Sequence, residues 1–84
     1  MKIVWTNTAL DDYLYWQKID KKKLKRINTL IKATQRDPFK GIGNPEPLKH
    51  DLQCFWSRRI DGVHRLVYSY EDGVLLIIVC RYHY

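Results

Sequence analysis

The first part of the chain passes from an extended to a helical hydrophobic pattern. Lys2 to Thr6 is rich in β-branched and aromatic residues, which favours a short strand. Apolar side chains then recur at helical spacing over 10–17 and again over 24–34. Thr8 is the predicted N-cap of the first helix and Asp20 that of the second. The pattern therefore predicts one strand followed by a hairpin of two helices.

The second part of the chain changes to a pattern with a period of two. All three prolines lie between Pro38 and Pro47, together with two of the glycines, which predicts a loop. Three strands are predicted after it: Phe55 to Ile60, His64 to Tyr70 and Val74 to Tyr82. A further short strand is possible near Leu48-Lys49. The Asp-Gly pairs at 61–62 and 72–73 signal tight turns, so the three strands should form an antiparallel meander.

These elements predict one α+β domain covering residues 1–84, in the order β-α-α-β-β-β. Two helices must cover one face of a sheet to enclose a core. We therefore expect the N-terminal helices on one face of a twisted, mainly antiparallel sheet. The other face is then open to a ligand.

The lengths of the two turns decide which side chains share that open face. A three-residue loop, Asp61-Gly62-Val63, places Arg59 opposite Arg65, whereas a two-residue turn places Arg58 there. A three-residue loop at 71–73 divides the side chains of the last two predicted strands between the two faces of the sheet. One face then has Leu66, Tyr68, Leu76 and Ile78, and the other has Arg65, Val67, Ile77, Val79, Arg81 and His83. A two-residue turn at 72–73 would separate Arg65 from His83. We favour the three-residue loops, because they gather Arg59, Arg65 and His83 beside the loop that carries Glu46 and Lys49.

The charge balance favours polyanionic partners. The 84 residues include 15 Lys and Arg against 9 Asp and Glu, a formal net charge of +6; a merely solvated basic surface is the alternative.

Cys54 and Cys80 have no metal-ligand spacing, which indicates reduced thiols in a cytoplasmic protein. The longest apolar run, Val74 to Cys80, has seven residues and is too short to span a bilayer. With no signal-peptide pattern at the start, no membrane association is expected.

The expected open face carries the groups that RNA cleavage needs. Attack by a 2′-hydroxyl requires a base, an acid for the leaving oxygen, and cations for the charged phosphate. Glu46 and His83 are the titratable candidates, and Lys49, Arg59 and Arg65 are the cations. No Asp, Glu and His cluster has the spacing of a metal site, so we expect a reaction without a metal or cofactor.

A purely structural interpretation of the same residues is also open. Glu46 could be a solvated loop residue, and Arg58 and Arg59 could protect a sheet edge. Arg65 fits that interpretation least, because an arginine in an apolar strand needs a partner. His50 and His64 are interpreted as structural or surface residues.

Four segments resemble the YoeB-like toxins of the RelE-like superfamily. They are Pro45–His50 (PEPLKH), Phe55–Ile60 (FWSRRI), His64–Tyr68 (HRLVY) and Cys80–Tyr84 (CRYHY). Trp5 and residues 11–17 match as well, so the resemblance extends over the whole chain.

The resemblance implies a ribosome-dependent mRNA endonuclease that enters the ribosomal A site. It also implies a cognate acidic YefM-like antitoxin, with which the toxin represses its own operon, so that DNA is bound only through that complex. Toxins of this family are described as homodimers. The matching positions imply these roles: Glu46 as general base, His83 as general acid, Arg65 as the phosphate-stabilising cation, Lys49 and Arg59 as assisting substrate contacts, and Tyr84 as an orienting residue.

Two other classes of function compete with the enzyme. One is an RNA- or ribosome-binding module that blocks translation by occupancy without cutting. The other is a regulatory subunit that acts only through an antitoxin complex on DNA; no helix-turn-helix is visible in the sequence, so the partner would have to read the DNA. The presence of Glu46, Arg65 and His83 together favours the enzyme.

Overall fold

A computed structural model describes residues 1–49 and 54–82 of the chain. The elements are β1 (Lys2–Trp5), α1 (Asn7–Ile19), α2 (Lys21–Arg36), β2 (Glu46–Pro47), β3 (Phe55–Arg59), β4 (Arg65–Glu71) and β5 (Val74–Val79). Two helices packed against a five-stranded mixed sheet make an α+β fold, which confirms the predicted class. His50, His83 and Tyr84 lie outside the described residues.

The sheet has the strand order β1-β5-β4-β3-β2. β1 runs parallel to β5, and the other three pairs are antiparallel. Two of them, β3–β4 and β4–β5, form the predicted meander. The short strand β2 lies two residues before the position expected for it. Its pairing continues as far as Leu48, whose N–H donates to the Phe55 carbonyl at 2.8 Å.

The two helices begin at different kinds of N-cap. Asp20 caps α2 as predicted, because its carboxylate accepts from the N–H groups of Lys22 and Lys23 at 3.1 and 3.3 Å. The N-cap of α1 is Thr6, so the prediction of Thr8 was wrong. The Thr6 hydroxyl accepts from the Ala9 N–H at 3.0 Å and donates to the Ile78 carbonyl at 2.7 Å, which ties the start of the helix to β5.

The core lies between the helices and one face of the sheet. It consists of the buried residues Ala9, Trp16, Ile27, Leu30, Ile31, Ile60, Leu66, Tyr68, Leu75, Ile77 and Cys80. Removing a large apolar side chain of this kind from water contributes about 1.5–3 kcal/mol. The Trp16 indole also donates to the Cys80 carbonyl at 2.8 Å, so its one polar group is satisfied inside the core.

The turn between β3 and β4 has the predicted length. Arg59 lies opposite Arg65, and the Ile60 N–H donates to the His64 carbonyl at 2.9 Å, which leaves residues 61–63 as the loop. The Asp61 carboxylate closes this loop by accepting from the N–H groups of Val63 and His64 at 2.8 and 2.6 Å.

The turn between β4 and β5 has two residues, so the three-residue prediction was wrong. Glu71 pairs with Val74, and both Asp72 and Gly73 have positive φ, 51° and 76°, as a type I′ turn requires. Consequently Leu75 and Ile77, rather than Leu76 and Ile78, lie in the core.

A β-bulge corrects the register further along the same pair of strands. Tyr68 pairs with Ile77 but Val67 pairs with Val79, so Ile78 is an extra residue in β5. The extra residue brings Val67 and Val79 opposite one another, so these two residues share a face as predicted despite the shorter turn, whereas Ile77 lies on the core face instead of with them.

Candidate functional site

A groove of about 280 Å³ lies on the face of the sheet opposite the helices. It is lined by Glu46, Leu48, Ser57, Gly62, Val63, Arg65 and Val67. The strand register explains this grouping, since Glu46 pairs with Ser57 and Ser57 pairs with Val67 across three neighbouring strands. Side chains that alternate along β4 then place Arg65 and Val67 away from the core residues Leu66 and Tyr68.

Glu46 and Arg65 form an ion pair in this groove. Arg65 Nη1 donates to Glu46 Oε1 at 2.8 Å and to Ser57 Oγ at 3.2 Å. The Glu46 side chain remains 51% exposed and the Arg65 side chain 25% exposed, so a ligand can reach both charges. The structure therefore brings together two of the site residues chosen from the sequence.

The other predicted site residues have different positions. Arg59 is exposed and lies opposite Arg65 in the register, although it does not line the groove. Lys49 is exposed and follows Leu48, which does line it. His83 and Tyr84 lie outside the described residues, so their predicted membership of the shared face stays a prediction.

The fully buried arginine of this protein is Arg58, not Arg65. It is 0% exposed and belongs to β3, which lies between β4 and β2 inside the sheet, so the edge-protecting interpretation was wrong. Its guanidinium donates to four oxygens: the carbonyls of Asp37 at 2.5 Å, Lys40 at 2.9 Å and Ile42 at 2.9 Å, and the Tyr68 hydroxyl at 3.2 Å. Arg58 thus fastens the loop that leads to Glu46. Alternation along β3 could have indicated this, since it puts Arg58 on the face of Trp56.

Gly43 lets the same loop approach the core closely. Its φ is +81°, and a Cβ there would come within 2.7 Å of the Leu30 side chain. Its carbonyl accepts from the Arg59 N–H at 2.6 Å. Only glycine combines that backbone conformation with that contact, so the loop has a fixed path towards Glu46.

The segment Cys80–Tyr82 is bound to α1 after the end of β5. The Asp12 carboxylate accepts from the Cys80 N–H at 3.0 Å, and the Arg81 guanidinium lies 3.6 Å from the centre of the Tyr15 ring. Burial raises the pKa of the Asp12 carboxyl despite that hydrogen bond and the nearby Arg81 charge. Burial, with Asp12 nearby, raises the pKa of the Cys80 thiol to about 12, so this cysteine is unsuited to be a nucleophile.

A second groove, of about 360 Å³, is lined by Phe39, Cys54, Phe55, Trp56, Ser69, Tyr70 and Glu71. Among these lining residues, all within the described ranges, Glu71 is charged and none is a cation. The second groove therefore suits a phosphate less well than the first.

Residues 1–49 and 54–82 contain neither a metal-binding cluster nor a membrane-spanning helix. No three His, Cys, Asp or Glu side chains are grouped there as metal ligands would be. None of the helices in those ranges has the length and apolarity needed to cross a membrane.

A mixed five-stranded sheet with two helices on one face is the fold of the RelE-like toxins. Residues 5–84 match the family model described as YoeB-like toxin of bacterial type II toxin-antitoxin system. The chain is 61% identical to Toxin YoeB of Escherichia coli strain K12 over 84 residues, covering all of both chains. It belongs to this family of YoeB-like toxins.

Solved structures agree with this assignment. The YoeB/ParE toxin from Agrobacterium tumefaciens is 49% identical, with all of both chains covered and a TM-score of 0.95. Two structures from Staphylococcus aureus, a YoeB dimer and a heterotetrameric YoeB–YefM toxin–antitoxin complex, are each 45% identical. Each covers all of this chain and 98% of the other, with TM-scores of 0.93 and 0.92.

Proposed function

We propose that this chain is a ribosome-dependent mRNA endonuclease, a toxin that cuts mRNA in the ribosomal A site and so inhibits translation. The observation that carries the proposal is the ion pair of Glu46 and Arg65 in an open groove on the uncovered face of the sheet. A carboxylate and a guanidinium side by side supply a proton acceptor and a phosphate ligand within the space of one nucleotide linkage.

The proposed chemistry is metal-independent general acid–base catalysis. Glu46 takes or orients the proton of the attacking 2′-hydroxyl. Arg65 binds the scissile phosphate, because its side-chain hydrogen bonds to the described residues come from Nη1 and a guanidinium carries further N–H donors for a ligand. His83 protonates the leaving 5′-oxygen, and Tyr84 orients the substrate or the acid.

The remaining cations assist from the margins of the groove. Lys49 and Arg59 are exposed there and would contact the flanking phosphates of the bound message. The net charge of +6 supports binding to a polyanion as large as the ribosome.

The proposed partners are the 70S ribosome with its mRNA and a cognate YefM-like antitoxin. The Staphylococcus aureus complex named for YoeB and YefM supports the antitoxin, and the YoeB dimer supports a homodimer. DNA binding and repression of the operon would come only through the antitoxin complex. All of these partners place the toxin in the cytoplasm.

The test is primer extension on a translated message after brief expression of the toxin, compared with the same message left untranslated. New 5′ ends on the translated message alone are expected. Glu46→Gln, Arg65→Gln and His83→Ala should each remove them. Glu71→Gln is the matched control, since Glu46 and Glu71 are the chain's two glutamates and Glu71 lies at the β4–β5 turn.

Two outcomes would contradict the proposal. Arrested translation with an uncut message would favour a module that blocks the ribosome by occupancy. Cleavage by Glu46→Gln at the rate of Glu71→Gln would remove the carboxylate from the mechanism.

A further inference from the structure

His64 holds the backbone of Tyr82 in place. Its Nδ1 accepts a hydrogen bond from the Tyr82 N–H at 2.8 Å, while the next residue, Arg65, donates its own N–H to the Tyr82 carbonyl at 2.8 Å. Both backbone polar groups of Tyr82, its N–H and its carbonyl, are therefore bound to the start of β4. One of the two partners is a side chain that can be protonated.

Packing fixes the position of the His64 ring. The ring stands edge-on to Trp16, with centroids 4.8 Å apart and planes at 77°, and lies 5.3 Å from the ring of Tyr82. Trp16 is itself buried in the core. The imidazole is thus held between α1 and the segment Cys80–Tyr82, with Nδ1 directed at that segment.

Tyr82 needs such a partner because of its own backbone. Its φ is +60°, in the left-handed region that a bulky residue rarely occupies. The chain there has left β5, which ends at Val79, so no strand carbonyl takes the Tyr82 N–H. The imidazole nitrogen supplies the acceptor, and the strained conformation persists because the N–H and the carbonyl of Tyr82 are both bound.

We propose that His64 is a positioning residue, whose neutral imidazole fastens Cys80–Tyr82 to the start of β4. His83 follows Tyr82 in the chain, so this contact fixes the residue to which the proposed general acid is joined. That consequence for catalysis rests on the proposed function. The contact itself is a property of the free protein.

The contact requires the neutral ring. Nδ1 accepts only when it is unprotonated, and in the protonated imidazole both nitrogens are donors. The segments next to the ring carry charges of both signs. Asp12 lies near it on α1, Asp61 accepts from the His64 backbone N–H at 2.6 Å and pairs with Lys23 at 2.7 Å, and Arg81 precedes Tyr82. Protonation of the ring would turn Nδ1 from an acceptor into a donor and so remove the partner of the Tyr82 N–H.

Hydrogen exchange at the Tyr82 amide of the free protein tests this inference. Two variants separate the acceptor from the packing. In His64→Asn the amide oxygen takes the place of Nδ1 as an acceptor that does not titrate. In His64→Leu the apolar bulk against Trp16 is kept and the acceptor is lost. The protection factor at Tyr82 is compared with that at Tyr68, in the middle of β4, at about pH 8 and about pH 5, the range over which histidines ordinarily titrate.

The expected pattern has three parts. The parent protein loses protection at Tyr82 on acidification, His64→Asn keeps it at both pH values, and His64→Leu lacks it at both, while Tyr68 stays protected throughout. Parental protection at Tyr82 in His64→Leu would overturn the inference, and so would equal loss in the two variants. If His64→Leu does not fold, the different pH responses of the parent and His64→Asn still decide the question.

Steady-state cleavage of message on programmed ribosomes then tests the catalytic consequence. His64→Leu should lower kcat with little change in KM for programmed ribosomes, and His64→Asn should restore it. Parental kcat in a His64→Leu variant that has lost protection at Tyr82 would overturn the positioning claim. A parent protein that does not cut at all would overturn the proposed function, while the exchange result would still stand.

Discussion

Arg58 and Tyr68 are joined inside the core by a hydrogen bond of 3.2 Å, and the Tyr68 hydroxyl donates in turn to the Pro38 carbonyl at 2.6 Å. Burial raises the pKa of the Tyr68 phenol even though the Arg58 cation lies beside it. The phenol therefore keeps its proton and remains a donor. A buried cation in this protein is satisfied by carbonyl and hydroxyl oxygens alone among the described residues.

Replacing Arg58 should be severely destabilising. Arg58→Met removes all of these donors and leaves buried oxygens without partners, so the free energy of unfolding should fall by about 3 kcal/mol or more. Urea unfolding measures this. The neighbouring exposed Arg59→Met is the control and should change the value by less than about 0.5 kcal/mol. Equal destabilisation by the two substitutions would contradict the conclusion that the Arg58 guanidinium holds the loop in place.

Arg65→Lys should damage the chemical step more than ribosome binding. A lysine cannot present the paired donors that the guanidinium offers to a phosphate, so the single-turnover rate should fall by roughly tenfold or more. The exposed Lys22 and Lys25 on α2 should behave in the opposite way. Their replacement by alanine should weaken binding and flatten its salt dependence by roughly one unit of slope per residue, with the saturated rate unchanged. The same response from both kinds of variant would refute this division of roles.

The ion pair of Asp61 with Lys23 should stabilise the fold above about pH 4. Burial alone would raise the pKa of Asp61, but hydrogen bonds from Lys23 and from the N–H groups of His64 and Val63 hold it well below its ordinary 3.8. A depressed carboxyl pKa contributes stability that is present above the unfolded value and is lost as the pH falls through the folded value. The stability difference between the parent and Asp61→Asn should therefore shrink on acidification below about pH 4. A difference independent of pH would argue against the ion pair.

Asp12 should matter as an acceptor more than as a charge. Asp12→Ala leaves the Cys80 N–H without its partner and should cost about 1–3 kcal/mol. Asp12→Asn keeps an acceptor oxygen and should cost less. Because burial raises the folded-state pKa of Asp12, its contribution is fully present below the unfolded pKa and is lost as the pH rises through the folded value. Thermal unfolding of both variants from about pH 3 to 7 checks the order and the slope.

The sequence predicted the elements well where local chemistry decided them. Asp20 caps α2 because a carboxylate at that junction can reach two N–H groups of the first turn. Thr8 was a wrong choice for α1 because pairing of β1 with β5 continues to Trp5 and leaves Thr6 at the point where the helix must start. Pairing between strands that are distant in sequence does not alter the local hydrophobic pattern, so that pattern could not indicate it.

The candidate site was predictable in part. Glu46 and Arg65 meet as expected, because the loop of residues 61–63 has the length that the sequence favours. The β-bulge in β5 and the position of Arg58 inside the sheet depend on the whole strand order. His64 was interpreted as structural or surface because its acceptor role depends on the left-handed turn at Tyr82, which no residue type there signals.

The strand order also sets a condition on how this protein is made. β1 is the first strand to be synthesised, yet its pairing partner is β5, the last of the five and an interior strand of the sheet. Pairing of this kind joins residues about as far apart in sequence as the chain allows, and such contacts form late in folding. The nascent chain therefore cannot complete its core until β5 has been synthesised, and a copy without β5 and the residues after it lacks the Tyr82 carbonyl that accepts from the Arg65 N–H. The groove that holds Arg65 is therefore complete only in a chain that has been translated through β5.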